Sequence, residues 1–430
     1  MQRKQLTLVI VSLLVVVLSV SLAYFTTQII GKGKDVSVTS ANLQIVFTDS
    51  DGALTETDIE PGWSATKTFT IKNDTKTEYK YNIVIKDLLN TFVTEGYLQY
   101  KITSTNNGYN MTEFKDIPKS SAPKDTILAY SVVIPVGETQ TYTIEFRYLN
   151  DEDVDQGDDM GKVLKGTLFI TEGTEEPKSL VTLIQANAVN ENGYRYEGSD
   201  PNNYIQMEKT DGTTELWRII GLFPDGENGE DVIRVRKVGY EKATYDSNST
   251  NHWPNTTLYT TLSSTYSITN YKNTVNYKMY LGGASSIGSY TSQDLYDMER
   301  ILNSKGTAGK TSQNSYQSST IFTGSVGLMY PSDYGYGVLA SDCARTIQPY
   351  YYDGTAACYT NNWLLQGSST FQWLISPLSS GSGNAFVVLA SGDVTHTGVT
   401  NSDSYSPVMA LKSDVVVIGS GTNSDPYVMQ

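Results

Sequence analysis

The sequence predicts a mainly β chain in three parts: an N-terminal transmembrane or signal helix (1–25), a β-sandwich domain (36–172) and an α+β domain (194–430). Three observations carry that prediction. One long apolar run stands near the N-terminus; short runs then alternate apolar and polar residues up to residue 172; beyond residue 194, hairpin signals mix with helical ones.

A chain of 430 residues is long for a single core, so two folded domains are expected. Hydrophobic residues make up 39% and charged residues 18%, a balance that offers enough apolar surface to offset chain entropy. Tyrosine, at 31 residues, far outnumbers phenylalanine at 11. With abundant Ser, Thr, Asn and Gly this suits half-exposed aromatic faces, either on hairpins that tolerate Tyr or on a surface for polar ligands. A net charge of −15 repels phosphate backbones, which argues against a nucleic-acid partner.

The apolar run spans residues 6–25 behind Arg3 and Lys4. It is long enough to cross a bilayer as a helix. Ser21 and Ala23 also place small residues where a signal-peptide cleavage site needs them, and cleavage after Ala23 is the favoured expectation. Arg3 and Lys4 stay in the cytoplasm either way, so the rest of the chain is expected outside the cell, secreted or anchored to the membrane through residues 6–25.

In the first domain, Ala41 to Phe47, Lys67 to Ile71, Tyr79 to Ile85 and Thr141 to Phe146 alternate with a period of two. Turn clusters such as Pro61-Gly62, Asn73-Asp74 and Asn106-Asn107-Gly108 divide these runs, as in a sandwich of short strands. Two acidic loops, Asp49 to Asp58 and Asp151 to Asp159, offer oxygen ligands of the kind calcium takes. Neither has EF-hand spacing; both are read as solvated turns, and no cofactor is expected. The stretch Asp58-Ile59-Glu60-Pro61-Gly62-Trp63 followed by Lys67 to Asn73, together with Ala23-Tyr24-Phe25, resembles the TasA/camelysin group of Gram-positive surface and biofilm-matrix proteins. The resemblance covers roughly residues 20–172. It implies a sandwich that can self-associate by strand donation.

Residues 173–193, polar around Pro177, are expected to be a linker with a short helix from Ser179 to Val189. In the second domain a strand pair is expected over Glu215 to Leu222 and Asp231 to Val238, and a helix over Asp294 to Asn303 capped by Ser292 or Thr291. Tyr194-Arg195-Tyr196-Glu197-Gly198, Pro201-Asn202-Asn203-Tyr204, Trp217 to Gly221, Val326 to Tyr336, Asn362-Trp363-Leu364 and Trp373 to Pro377 carry a second resemblance. In this order they are similar to a C-terminal module of exported gut Firmicutes proteins, itself similar to C-type-lectin-like and formylglycine-generating-enzyme-like folds. Members usually have an Arg-Pro pair before the closing strand. Here Ser406 precedes Pro407, which puts any salt bridge or ligand contact of that Arg in doubt.

Cys343 and Cys358, two nearby cysteines in an exported chain, are expected to form one disulfide. That leaves no thiol for formylglycine-type chemistry or for a zinc site. The two histidines, His252 and His396, frame no nucleophile elbow, and no spacing selects a carboxylate pair, so no enzyme is expected. Aromatic and amide side chains gather between Tyr330 and Trp373, with Trp363 and Trp373 read as core. Tyr350, Tyr351 and Tyr352 lie inside the disulfide loop, where neighbours on a strand face opposite ways. With Asn361, and with Asp393 of a second candidate loop (384–403), they form the expected ligand-binding set. The expectation is thus an adhesin-like surface protein whose C-terminal module binds a glycan or protein. A matrix or fibre subunit is the alternative, and a secreted hydrolase ranks last.

Overall fold

The computed structural model describes residues 36–38, 43–47, 53–56, 59–286, 288, 290–310, 320–365 and 371–430. The expected N-terminal helix, with its cleavage site, lies outside them, as do Asp49, Ser50, Asp51 and Asp58. Among the described residues no helix is long and apolar enough to cross a membrane. Strands hold 41% of the structure and helices 14%, so the chain is mainly β. It divides into two compact units, Met1–Glu176 and Pro177–Gln430.

The first unit comprises β1 (Val36–Val38), β2 (Leu43–Phe47), β3 (Ala53–Glu56), β4 (Ser64–Asn73), β5 (Tyr79–Asn90), β6 (Leu98–Ser104), β7 (Lys115–Asp116), β8 (Ser120–Ile134), β9 (Thr139–Tyr148) and β10 (Leu164–Glu172). They form two sheets, ordered β1-β2-β4-β9-β6-β7 and β3-β10-β5-β8, with every pairing antiparallel. Alternation decides which side chains go inside. On β9, Gln140, Tyr142, Ile144, Phe146 and Tyr148 are buried while the residues between them are half-buried or exposed. They join Phe69, Ile71, Ile102, Ile83, Ile85 and Leu168 of both sheets in one core. The polar tips buried there bond to one another: the Tyr81 hydroxyl lies 2.6 Å from that of Tyr142 and donates to Gln140.

The second unit contains β11 (Lys178–Ser179), β12 (Val189–Asn190), β13 (Tyr194–Arg195), β14 (Tyr204–Glu208), β15 (Thr214–Phe223), β16 (Val232–Lys237), β17 (Glu241–Thr244), β18 (Thr274–Val275), β19 (Tyr277–Tyr280), β20 (Gly282–Gly283), β21 (Thr307–Ala308), β22 (Ile321–Gly324), β23 (Gln372–Pro377), β24 (Asn384–Val388), β25 (Val394–Gly398), β26 (Ser402–Tyr405), β27 (Val408–Lys412), β28 (Val416–Ile418) and β29 (Tyr427–Met429). The main sheet runs β11-β28-β29-β14-β15-β16-β27-β18, with β12 and β13 joined to it through β15. A five-stranded sheet runs β17-β26-β23-β24-β25. The helices are α1 (Leu180–Asn187), α2 (Thr257–Thr265), α3 (Ser292–Glu299), α4 (Pro331–Tyr336) and α5 (Ala356–Thr360).

The expected strand pair is β15 with β16, bulged between Ile219 and Gly221. Gly221 must be glycine: a Cβ there would lie 1.9 Å from the Tyr194 carbonyl oxygen, where β13 pairs. The segment read as a linker belongs largely to this unit. Lys178 and Ser179 pair with β28, and Leu180 and Ile184 of α1 are buried in its core. Helix α3 starts where expected, with Thr291 and Asp294 forming a reciprocal capping box. It does not reach Asn303. Ile301 and Asn303 adopt left-handed backbone angles, which end the helix and leave Leu302 exposed instead of on the apolar face.

At the centre of this unit sits Asp333 of α4, fully buried. Its carboxylate accepts hydrogen bonds from Arg195 Nη1 at 2.5 Å, from Arg234 Nη1 and Nη2 at 3.0 and 2.9 Å, and from the Tyr330 backbone at 3.0 Å. Burial pushes its pKa up, but Arg234 and Arg195 outweigh that and hold it at about 2. The Phe223 ring lies 3.7 Å from the Arg234 guanidinium and 4.6 Å from that of Arg195. Asp333→Asn keeps the shape but leaves two buried guanidiniums short of charge. It is expected to cost about 3–5 kcal/mol, measured by urea denaturation.

Candidate functional site

The Cys343–Cys358 disulfide is formed, with Cα atoms 4.8 Å apart. Its loop folds into a short 3-10 turn, Pro349–Gly354, before α5. The three adjacent tyrosines part company there. Tyr350 and Tyr351 are 38% and 49% exposed, their rings meeting edge-on at 4.8 Å. Tyr352 is turned into the core, where its hydroxyl donates to the Gly335 carbonyl at 3.0 Å, so it offers no surface to a ligand. Asn361 donates to Asp342 at 2.8 Å across the base of the loop. Asp393 accepts the Asp353 N–H at 2.7 Å and the Ser391 hydroxyl, tying the loop to the turn between β24 and β25. Burial, and then the nearby Asp353 carboxylate, raise the Asp393 pKa above the usual range. The expected residues therefore share one neighbourhood. The hollow that Tyr350 lines with Leu295, Phe386 and Val394 holds about 10 Å³, too little for more than a water.

A larger cleft, about 640 Å³, is lined in part by the C-terminal end of α5. Ser199 and Asp200 enter from the loop before β14, Tyr204 and Arg218 from the sheet, Tyr359 and Thr360 from the end of α5, Asn362, Trp363 and Leu365 from the segment after it, and Ala390 from the β24–β25 turn. Tyr204 and Arg218 are cross-strand partners on β14 and β15. The guanidinium of Arg218 lies 4.1 Å from the Tyr204 ring and 4.6 Å from the Trp363 ring. Its Nε donates to Asn203 Oδ1 at 2.8 Å, and its Nη2 to Asp200 at 3.0 Å and to the Pro201 carbonyl at 3.1 Å. Trp363 is core, as expected, and donates its indole N–H to the Tyr196 carbonyl at 2.9 Å. Trp373 is buried too. The turn that holds Asp393 links the two places: Ala390 lines the cleft, and Gly392 leaves no room for a Cβ against Tyr359.

Sequence reasoning missed this cleft because its wall comes from five separate segments. One local signal existed: an arginine inside the apolar run Trp217-Arg218-Ile219-Ile220 needs a polar or aromatic seat. Ser406, standing where the usual Arg was expected, donates to the Gly239 carbonyl and accepts from Arg236 Nη2 at 3.3 Å.

The remaining titratable groups are shut away or scattered. His252 is buried, with Nδ1 3.0 Å from Asn255 Oδ1, and burial lowers the pKa of half-buried His396. Among the described residues no group of three or more His, Cys, Asp or Glu side chains could hold a metal ion. In the acidic loop 151–159, Asp159 points inward instead of into solvent, accepting from Tyr148 Oη at 2.7 Å and the Val93 N–H at 2.6 Å. Glu299 is completely buried, accepting from the Ser332 N–H at 2.8 Å with Arg300 3.5 Å away.

The chain matches no family model, no curated protein and no solved structure.

Two outcomes follow from this geometry. Burial lifts Glu299 to about 7 from an ordinary 4.5, against the opposing pull of Arg300 and Ser332. The folded state therefore holds this proton more tightly than the unfolded chain. The stability it contributes is complete below about 4.5 and is lost as pH rises through about 7. Urea midpoints measured from pH 4.5 to 8 should fall with this slope, and Glu299→Gln should flatten it. Replacing Cys343 and Cys358 together by Ala should cost roughly 3 kcal/mol in urea, because the unfolded loop is no longer closed.

Proposed function

We propose that this chain is an exported, adhesin-like surface protein whose C-terminal unit binds a glycan. The observation that carries the reading is the cleft beside α5. It is large enough for one or two sugar rings, and its wall alternates aromatic faces (Tyr204, Tyr359) with hydrogen-bonding groups (Asp200, Arg218, Thr360). Sugars present the same alternation of apolar ring faces and hydroxyls. The exposed Tyr350–Tyr351 pair is a second aromatic surface, on the disulfide loop that Asp393 ties to the turn whose Ala390 lines the cleft. The apolar run at residues 6–25 supports export, and the disulfide fits an oxidising compartment. The lectin-like resemblance of residues 194–430 and the TasA/camelysin-like character of residues 20–172 are part of the same proposal: a sandwich stalk presenting a binding module.

The competing reading, a fibre subunit built by strand donation, has less support. Strand β8, at one edge of its sheet among the described residues, carries repeated register shifts, a left-handed Ser131 and the sequence Pro123-Lys124-Asp125. Such features discourage edge-to-edge pairing.

A glycan array probed with the intact chain should give selective, saturable binding. Tyr359→Ala should weaken it by about 2 kcal/mol, roughly thirtyfold, and the Tyr350→Ala, Tyr351→Ala double variant by less. Binding that survives both changes untouched would sink the cleft assignment. Concentration-dependent filaments in electron micrographs, without glycan binding, would favour the fibre subunit.

A further inference from the structure

The charge balance behind the cleft identifies the class of glycan, on the reading just given that the cleft is a binding site. The buried guanidiniums of this unit fall into two groups. Arg195, Arg234 and Arg300 face Asp333, Asp225 and Glu299 at 2.5 to 3.8 Å, the last with its pKa lifted to about 7. Among the described residues, Arg218 and Arg236 share only one carboxylate. They are direct cross-strand partners on β15 and β16, an arrangement in which like charges destabilise a sheet.

Arg236 is fully buried and, among the described residues, donates only to neutral acceptors, the Leu364 carbonyl at 2.8 Å and Ser406 Oγ at 3.3 Å, while its Nε finds no partner there. Burial, and then the charge of Arg218, draw its pKa down to about 9, so it stays cationic at neutral pH. The single carboxylate is Asp200, also the one carboxylate lining the cleft, and its side chain is 67% exposed. An ion pair held that far into water contributes little. Nη1 of Arg218 makes no hydrogen bond among the described residues, and Nη2 beside it is shared between Asp200 and the Pro201 carbonyl.

We infer that the cleft binds a carboxylate-bearing sugar, such as a uronic or sialic acid, whose carboxylate displaces Asp200 and docks on Nη1 and Nη2 of Arg218. Two neighbouring nitrogens of a rigid planar fork match the two oxygens of a carboxylate. Asn203 and the flanking rings of Tyr204 and Trp363 already fix the guanidinium, so little ordering accompanies binding. Held in the cleft, the sugar carboxylate would be less solvated than that of Asp200 and so a stronger counter-ion to the Arg218–Arg236 pair. The same displacement frees the Tyr204 hydroxyl, which now donates to Asp200 at 3.0 Å, to bond a sugar hydroxyl.

Titration calorimetry on the intact chain tests this with matched pairs, an oligogalacturonate against its neutral oligogalactose and a sialylated glycan against its asialo form, plus a sulfated glycan and inorganic sulfate. At least one carboxylate sugar should bind about tenfold or more tightly than its neutral partner, and weaken with added NaCl. Arg218→Gln should erase that preference. Asp200→Asn, a change on a solvated side chain, should strengthen acidic-sugar binding two- to fivefold without disturbing the fold. Equal affinity for acidic and neutral partners would overturn the acidic class while leaving the cleft as a glycan site. Acidic-sugar binding unchanged by Arg218→Gln and Asp200→Asn, yet lost in the Tyr350→Ala, Tyr351→Ala variant, would overturn both the class and the cleft. Inorganic sulfate or a sulfated glycan binding as tightly as the best uronate would overturn carboxylate recognition.

Discussion

The second unit is organised around one buried carboxylate. Asp333 brings together β13 through Arg195, β16 through Arg234 and the start of α4 through the Tyr330 N–H. Desolvating three charges is costly, and the attraction among them repays that cost only with good geometry. Here Arg234 meets Asp333 through both terminal nitrogens, and Phe223 lies close to both guanidiniums. The gain is in uniqueness. Shifting β16 by one residue would put Arg234 on the other face and leave Asp333 half-satisfied, so the ion cluster fixes the register that the apolar pattern alone allows to vary.

The same strand shows the opposite balance two residues further on. Arg234 and Arg236 share a face of β16 by alternation, yet among the described residues one is matched by carboxylates and the other has none. A buried charge with only neutral partners lowers stability. Arg236 lies beside Arg218 of the cleft wall, as its cross-strand partner. Sequences break local rules most often where a site requires it. On the proposed reading, the mismatch at Arg236 would reflect what the cleft takes up rather than what the core needs.

Much of the fold was legible because it is local. The β15–β16 pair, the capped start of α3 and the disulfide each follow from neighbouring residues, and the alternation of β9 announced a two-sheet core. What escaped sequence reasoning depends on distant partners. Nothing near Tyr352 says that its hydroxyl will reach Gly335, nor anything near Ile301 that the helix must stop there. Local signals single out the disulfide loop but not the cleft, since Asp200, Arg218, Tyr359 and Ala390 converge only in three dimensions. The legible clue was negative: Arg218, Arg234 and Arg236 interrupt runs that otherwise read as buried strand.

Rigidity decides between the two aromatic surfaces. Tyr350 and Tyr351 project from a short turn, and a ligand held by them alone would have to order both side chains. In the cleft that ordering is already done. Arg218 is fixed by three acceptor groups besides its aromatic neighbours, and Trp363 by its bond to Tyr196. The α5 wall is pinned at Cys358 by the disulfide, while Gly392 packs close beneath Tyr359. A preformed wall keeps more of its contact energy as affinity. On the proposed reading, the disulfide loop would serve recognition by holding α5 in place.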